Sequence, residues 1–336
     1  MMDYELFKDV VKEKILDYLP PEYQDSEISI HPVDKFNRAQ PYDGMVVAKK
    51  GEQVCPIIDL NAMYHNYQIT NNLDTIMRGF CEIVLEAYDR AKENRLDPDF
   101  NIREHIVPEI GNSMVNAQRL KDSPSRRLND LSVSYRVSIK DGEKGSASIH
   151  INNDYALRLG MDENELYKLA CDNMKRLYPP ETTRLVDYIY SSLQEKGMSD
   201  EEIEVMLGGP IQGLYEASPW LVRNHSANGA TVLLDNEVFD ELANYVDDDL
   251  VIIPSSIYEV LAVEASMIPD REELSAFIKS VNINEVDENE RLSNQVYMYS
   301  REDKQIRMVT NSQSLSVAEE QENQYTADKE VKGPGI

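Results

Sequence analysis

The sequence predicts an α+β protein whose antiparallel sheets are built from hairpins and covered by amphipathic helices, and three observations carry that prediction. Short apolar runs alternate residue by residue and end in turn-forming clusters, as from Leu131 to Ile139 before Asp141-Gly142-Glu143-Lys144-Gly145. Longer segments repeat apolar residues at helical spacing, as in Leu73, Ile76, Met77, Phe80, Ile83, Val84, Ala87 and Tyr88. With 41% hydrophobic and 28% charged residues over 336 positions, the composition is that of a globular chain able to bury a real core.

The elements follow in order. Leu6, Phe7, Val10, Val11, Ile15, Tyr18 and Leu19 trace a first helix, which Pro20-Pro21 ends because proline cannot continue it. Runs at Ile28 to Val33, Met45 to Ala48 and Val54 to Ile58, separated by turn compositions, predict three antiparallel strands, and the Leu73 to Tyr88 helix should cover them. Between Asp97 and Asn129, Pro108, Gly111 and Pro124 break the periodicity, so only a short helix near Arg103 is predicted. Leu131 to Ile139 and Ala147, Ile149 and Ile151 then form a hairpin. Three helices start at Asp162 with Glu165, near Thr182, and at Ser199 with Glu202, the first and third as capping boxes.

Trp220 to Arg223, Asn228-Gly229 and Ala230 to Leu234 read as another hairpin, followed by a helix bearing Val238, Phe239, Leu242, Ala243 and Val246. Leu250 to Ile253 reads as a buried strand, Ser256 with Glu259 as the opening of a helix, and Leu274, Phe277, Ile278 and Val281 as one more helix. Val296 to Tyr299 and Ile306 to Val309 close with a hairpin. The composition divides into α+β regions at 1–125 and 126–309, open to being one continuous domain, and a polar tail at 310–336 that lacks the apolar residues to offset ordering.

Charge is lopsided: 34 Lys plus Arg against 61 Asp plus Glu leave a formal −27. Such a field disfavours direct binding to nucleic acid or to anionic membranes. It suits solubility, a protein partner, or an acidic face that mimics nucleic acid. Cys55, Cys81 and Cys171 fit reduced thiols better than a disulfide framework. The first residues lack the basic and apolar regions of a secretory signal, and no stretch reaches about 18 apolar residues, so a cytoplasmic location is expected.

No phosphate loop, zinc motif, nucleophile elbow or calcium loop is present. The histidines, His31, His65, His105, His150 and His225, are not spaced as metal ligands, so neither metal nor cofactor is expected. His150 falls on the polar face of its strand, where solvent is its expected neighbour. The most site-like segment is Ile252 to Val260, where hydroxyls sit at a predicted strand–helix junction. Ser255 or Ser256 could hold a ligand or act as nucleophile, with Glu259 beside them and His225 and Asp235 as distant partners; Ser256 and Glu259 also fit a plain helix cap. Asp59 to Tyr67 reads as a helix start, and Asp247 to Asp249 as a solvated turn.

Three blocks, Asp59-Leu60-Asn61-Ala62-Met63-Tyr64, Asn228-Gly229-Ala230 and Ile253-Pro254-Ser255-Ser256-Ile257-Tyr258-Glu259-Val260, resemble DUF5688, an uncharacterised bacterial family. The resemblance spans roughly Met1 to Val309 and implies no catalytic residues. That family often carries histidine where this chain has Tyr258, so a histidine-dependent reaction at that position is not expected. The leading expectation is a non-enzymatic protein that engages another protein. The alternatives are an enzyme or small-molecule binder near Ser255 and Ser256, and an acidic nucleic-acid mimic that inhibits a basic enzyme.

Overall fold

The computed structural model describes residues 1–52, 55–93, 100–140, 147–215, 217–254 and 256–310, and these divide into two compact units at Phe100/Asn101. Both are α+β with antiparallel sheets.

In the first unit, α1 (Tyr4–Tyr18) is capped by Asp3, whose carboxylate accepts the Leu6 N–H at 2.9 Å. Strands β1 (Glu27–Val33), β2 (Tyr42–Ala48) and β3 (Ile57–Asp59) pair in sequence order, as predicted, with Val54 outside the described residues. Asp59 ends β3 and caps α2 (Leu60–Thr70), accepting the Ala62 N–H, so the Asp59-to-Tyr64 block is a strand-to-helix turn. Helix α3 (Leu73–Glu93) follows. The core joins Phe7, Val11 and Ile15 to Met45 and Val47, and to Met77, Phe80, Val84 and Tyr88.

The second unit opens with a 3₁₀ turn at Ile102–His105 and β4 (Ile106–Asn112), a strand that Pro108 and Gly111 hide from sequence patterning. Next come β5 (Arg126–Leu128), β6 (Leu131–Lys140) and β7 (Ala147–His150). β6 is the centre of this sheet, with β4 on one side and β5 and β7 on the other. The β6–β7 pairing is the predicted hairpin, although its turn lies outside the described residues. Helix α4 (Asn153–Leu159) leads to α5 (Glu163–Leu177), whose Asp162–Glu165 capping box is present. Two bonds tie α5 to this sheet: Tyr135 of β6 donates to Glu163, and Asn173 donates to the Ile106 carbonyl of β4.

Thr182 does not open a helix: it lies in β8 (Pro180–Arg184), paired with Val222, and α6 (Leu185–Glu195) starts three residues later without a side-chain cap. Helices α7 (Asp200–Leu207), with its Ser199–Glu202 box, and α8 (Ile211–Tyr215) precede β9 (Trp220–Asn224). The rest is α9 (Asn236–Val246), β10 (Leu250–Ile253), β11 (Val260–Glu264), α10 (Arg271–Glu285), β12 (Tyr297–Ser300) and β13 (Gln305–Met308). A six-stranded antiparallel sheet runs β13-β12-β10-β11-β9-β8. Leu250 and Ile252 face Phe239 and Leu242 of α9, while Val251 and Ile253 face Ile278 of α10, so β10 is buried on both sides.

Two local predictions fail for one reason. Ala230 to Leu234 is a 3₁₀ segment, Gly229–Leu234, and not a strand, because β9 takes its partner from β11. The glycine must lie against a distant loop: a Cβ on Gly229 would sit 2.0 Å from the Tyr258 carbonyl oxygen, and Ala230 N–H donates to Ile257 O at 3.1 Å. That same loop holds no helix after Ser256. Ile257 N–H donates to Glu290 O at 2.9 Å and Ser256 bridges to Arg291, so the backbone is committed to the 287–293 segment. Ser255 and 311–336, most of the predicted tail, lie outside the described residues, while Thr310 is buried against Gln295 and Val296. Among the described residues no helix is long and apolar enough to cross a membrane.

Candidate functional site

Strict alternation puts Ser132, Ser134, Arg136 and Ser138 on one face of β6, and strand register adds to them. Glu109 of β4 stands opposite Ser134, and His150 of β7 opposite Arg136, so all share that face. Sequence reasoning assigns such a face to solvent. Instead Ser132, Ser134, Arg136 and Ser138 are all buried. The segment Ser113–Pro124 supplies cover: Ser113 Oγ meets Ser132 Oγ at 2.7 Å, and Ser123 reaches His150.

Buried polar groups persist where they are hydrogen-bonded, and here the bonds form a chain. Ser123 Oγ lies 2.8 Å from His150 Nε2, and His150 Nδ1 lies 3.1 Å from Glu109 Oε1. Ser134 Oγ donates to the same carboxylate oxygen at 3.0 Å. Burial would raise the Glu109 carboxyl, but the hydrogen bond and charge of His150, with the Arg136 and Arg119 guanidiniums, outweigh it and hold the carboxyl below its ordinary value. When the imidazole is neutral, an ionised Glu109 fixes Nδ1 as its donor, and Nε2 is then the nitrogen that accepts the Ser123 proton. That hydroxyl has a second acceptor, the Arg119 carbonyl at 3.0 Å. A hydroxyl, an imidazole and a half-buried carboxylate are thus joined in the order that serine acyl transfer requires.

The residues singled out from sequence gather elsewhere and only in part. Ser256 Oγ accepts the Tyr258 N–H at 3.0 Å and is hydrogen-bonded to Glu259. Burial pushes the Glu259 carboxyl above its ordinary value, against the Ser256 hydrogen bond and the charge of Arg223. His225 does not join them: its Nε2 lies 3.4 Å from Glu181, which Arg223 also holds at 2.9 Å. Asp235 ion-pairs with Lys175 at 2.7 Å and helps to cap α9. With no helix N-terminus at Ser256, the attraction for anions expected there is also absent. Tyr258 donates to Glu290 at 2.8 Å and its phenol is pushed up to about 12, chiefly by burial.

The second and third family blocks are joined structurally. Asn228 Oδ1 accepts the Ile110 N–H at 2.9 Å while its Nδ2 donates to Ile110 O at 3.2 Å, and the next residue is the glycine seated on Tyr258. The chain belongs to DUF5688, a family of unknown function whose match covers residues 4–301. Comparison with curated proteins and with solved structures gave no match. The match spans all three blocks, the first unit from Tyr4 onward and the second as far as the end of β12, but it assigns no chemistry to them.

Sequence reasoning missed Glu109 and Ser123 and misjudged His150. Two signals were present: a lone carboxylate inside the apolar run Ile106-Val107-Pro108-Glu109-Ile110, and an arginine and a histidine interleaved with small residues on facing strands. Neither shows that Ser113–Pro124 folds over that face.

Proposed function

We propose that this member of DUF5688 is an acyl-transfer enzyme of the hydrolytic kind, with Ser123 as nucleophile, His150 as general base and acid, and Glu109 as the group that orients the imidazole. The observation that carries the reading is the unbroken Ser123–His150–Glu109 chain on a largely covered face, with Ser123 buried and His150 and Glu109 half-buried. As Ser123 Oγ bonds to a substrate carbonyl carbon, its proton passes to His150 Nε2. The bond from that carbon to the leaving group then breaks, and Nε2 returns the proton to the departing atom. Water, deprotonated by the same nitrogen, releases the acyl group and restores the serine. Glu109 keeps its charge throughout and stabilises the imidazolium between the two transfers. Ser123 is only 6% exposed and belongs to the Ser113–Pro124 segment itself, so substrate access in this proposal requires a rearrangement of that segment that keeps Ser123 beside His150.

The expectation of a non-enzymatic protein rested on the acidic charge and on missing motifs, and a constellation assembled from residues 109, 123 and 150 has no motif to miss. A fluorophosphonate probe tests the proposal, read as intact mass and by peptide mapping. The wild-type chain should be labelled at Ser123; Ser123→Ala should abolish labelling, and His150→Ala should slow it by about 10²–10⁴-fold. Ser256→Ala should label like wild type. Absence of wild-type labelling, or labelling that survives Ser123→Ala, overturns the assignment.

A further inference from the structure

Between β8 and β9 the chain leaves the large sheet for α6, α7 and α8, whose apolar residues are for the most part only half-buried or exposed. Among their described residues only Val186 and Ile203 are buried. Helix α7 turns Ile203 inward, yet Val205 and Met206 remain 83% and 66% exposed. Helical spacing aligns Val205 with Glu201 and Met206 with Glu202, so the outward face of α7 carries an apolar pair framed by carboxylates. From Leu185 to Tyr215 the sequence holds six acidic residues, Asp187, Glu195, Asp200, Glu201, Glu202 and Glu204, against one basic residue, Lys196. An exposed pair of this kind on a thinly packed excursion is the composition of an interface centre with a charged rim.

We infer that the outward face of α7 is a docking surface for a basic amphipathic helix of another protein, with an apolar ridge on Val205 and Met206 and lysines or arginines on the surrounding carboxylates. The occupant follows from charge. A second copy of this chain would bring another −27 against the same acidic face, whereas a cationic helix gains from it at both rim and centre. This inference is independent of the chemistry proposed for Ser123.

The test uses the full chain and two fluorescent synthetic peptides of leucine and lysine only. One has its leucines at helical i, i+3, i+4, i+7 spacing, and the other is a scramble of identical charge. Fluorescence anisotropy should show tighter binding of the ordered peptide. Val205→Ser with Met206→Ser should weaken that binding by about tenfold, the loss expected for part of two apolar contacts, and leave the scramble unchanged. Glu201→Gln with Glu204→Gln should reduce the salt dependence of binding. Leu157→Ser, at an 80% exposed site on α4, should change nothing, with circular dichroism confirming that each variant is folded. Equal binding of ordered and scrambled peptides, an unaffected Val205/Met206 variant, or an equal loss in Leu157→Ser overturns the inference. So does a concentration-dependent dimer that the Val205/Met206 variant abolishes.

Discussion

Glu109 and Glu259 are both carboxylates drawn away from water in the second unit, and their surroundings move them in opposite directions. Glu109 has an imidazole and a serine hydroxyl in contact and two guanidiniums nearby, and it is held below its ordinary value. Glu259 has one serine and the charge of Arg223, opposed by Glu290, and burial wins. The difference teaches which polar cluster has a use for its charge. A site that works through an anion surrounds it with donors and cations; a carboxyl that merely closes a loop is left closer to neutral.

The largest expected effect comes from removing the charge that is used. Glu109→Ala strips the partner from His150 and leaves Arg136 and Arg119 in a poorly hydrated cluster, which should cost about 3–5 kcal/mol by urea unfolding at neutral pH. A loss under about 1 kcal/mol would show that water already reaches this face, and the contrast with Glu259 would collapse.

Next is the seat of the Glu259 loop. Gly229→Ala drives a methyl group into the Tyr258 backbone and should cost about 1–3 kcal/mol, with near-wild-type labelling at Ser123 because the 3₁₀ segment lies outside the Ser123–His150–Glu109 chain. Combined loss of stability and labelling would mean that the two clusters act as one.

What could be read from the sequence follows the same divide. The Asp162–Glu165 and Ser199–Glu202 boxes and the β6–β7 hairpin were legible because their causes lie within a few residues. Ser256 and Glu259 have that same spacing, yet Ile257 bonds to Glu290 and Ser256 bridges to Arg291, some 30 positions away, and the local signal is overruled. His150 was placed on the correct face of its strand. Its neighbours were not legible, because β4 and the Ser113–Pro124 cover come from the stretch with the weakest periodicity.

Acid titration should separate the two carboxyls by sign. Glu109 has a depressed folded value, so its stabilisation is complete above the ordinary carboxylate range near about 4.3 and is lost as pH falls through the folded value. Glu259 has a raised folded value, so it costs stability above that value, and the cost fades as pH falls through it toward about 4.3. The stability difference between wild type and Glu109→Ala should therefore persist at pH 5 and shrink only in stronger acid. A difference that vanishes well above pH 5 would place Glu109 among raised carboxyls and remove the basis for an ionised orienting group.

The smallest effect is the sharpest test of the comparison. Glu259→Gln keeps a side chain that can bond to Ser256, removes the desolvated charge and its repulsion from Glu290, and gives up only the attraction of Arg223. At neutral pH it should leave stability unchanged or raise it by less than about 1 kcal/mol, and the gain should fade as pH falls through the raised folded value of the wild-type carboxyl toward the ordinary carboxylate range. Urea unfolding of both chains at pH 7 and pH 4.5 decides the matter. A loss at pH 7 comparable to that of Glu109→Ala would mean that the Glu259 charge is held by partners as strong as His150 and the two arginines, and the Ser256 loop would then be the better candidate for the working site.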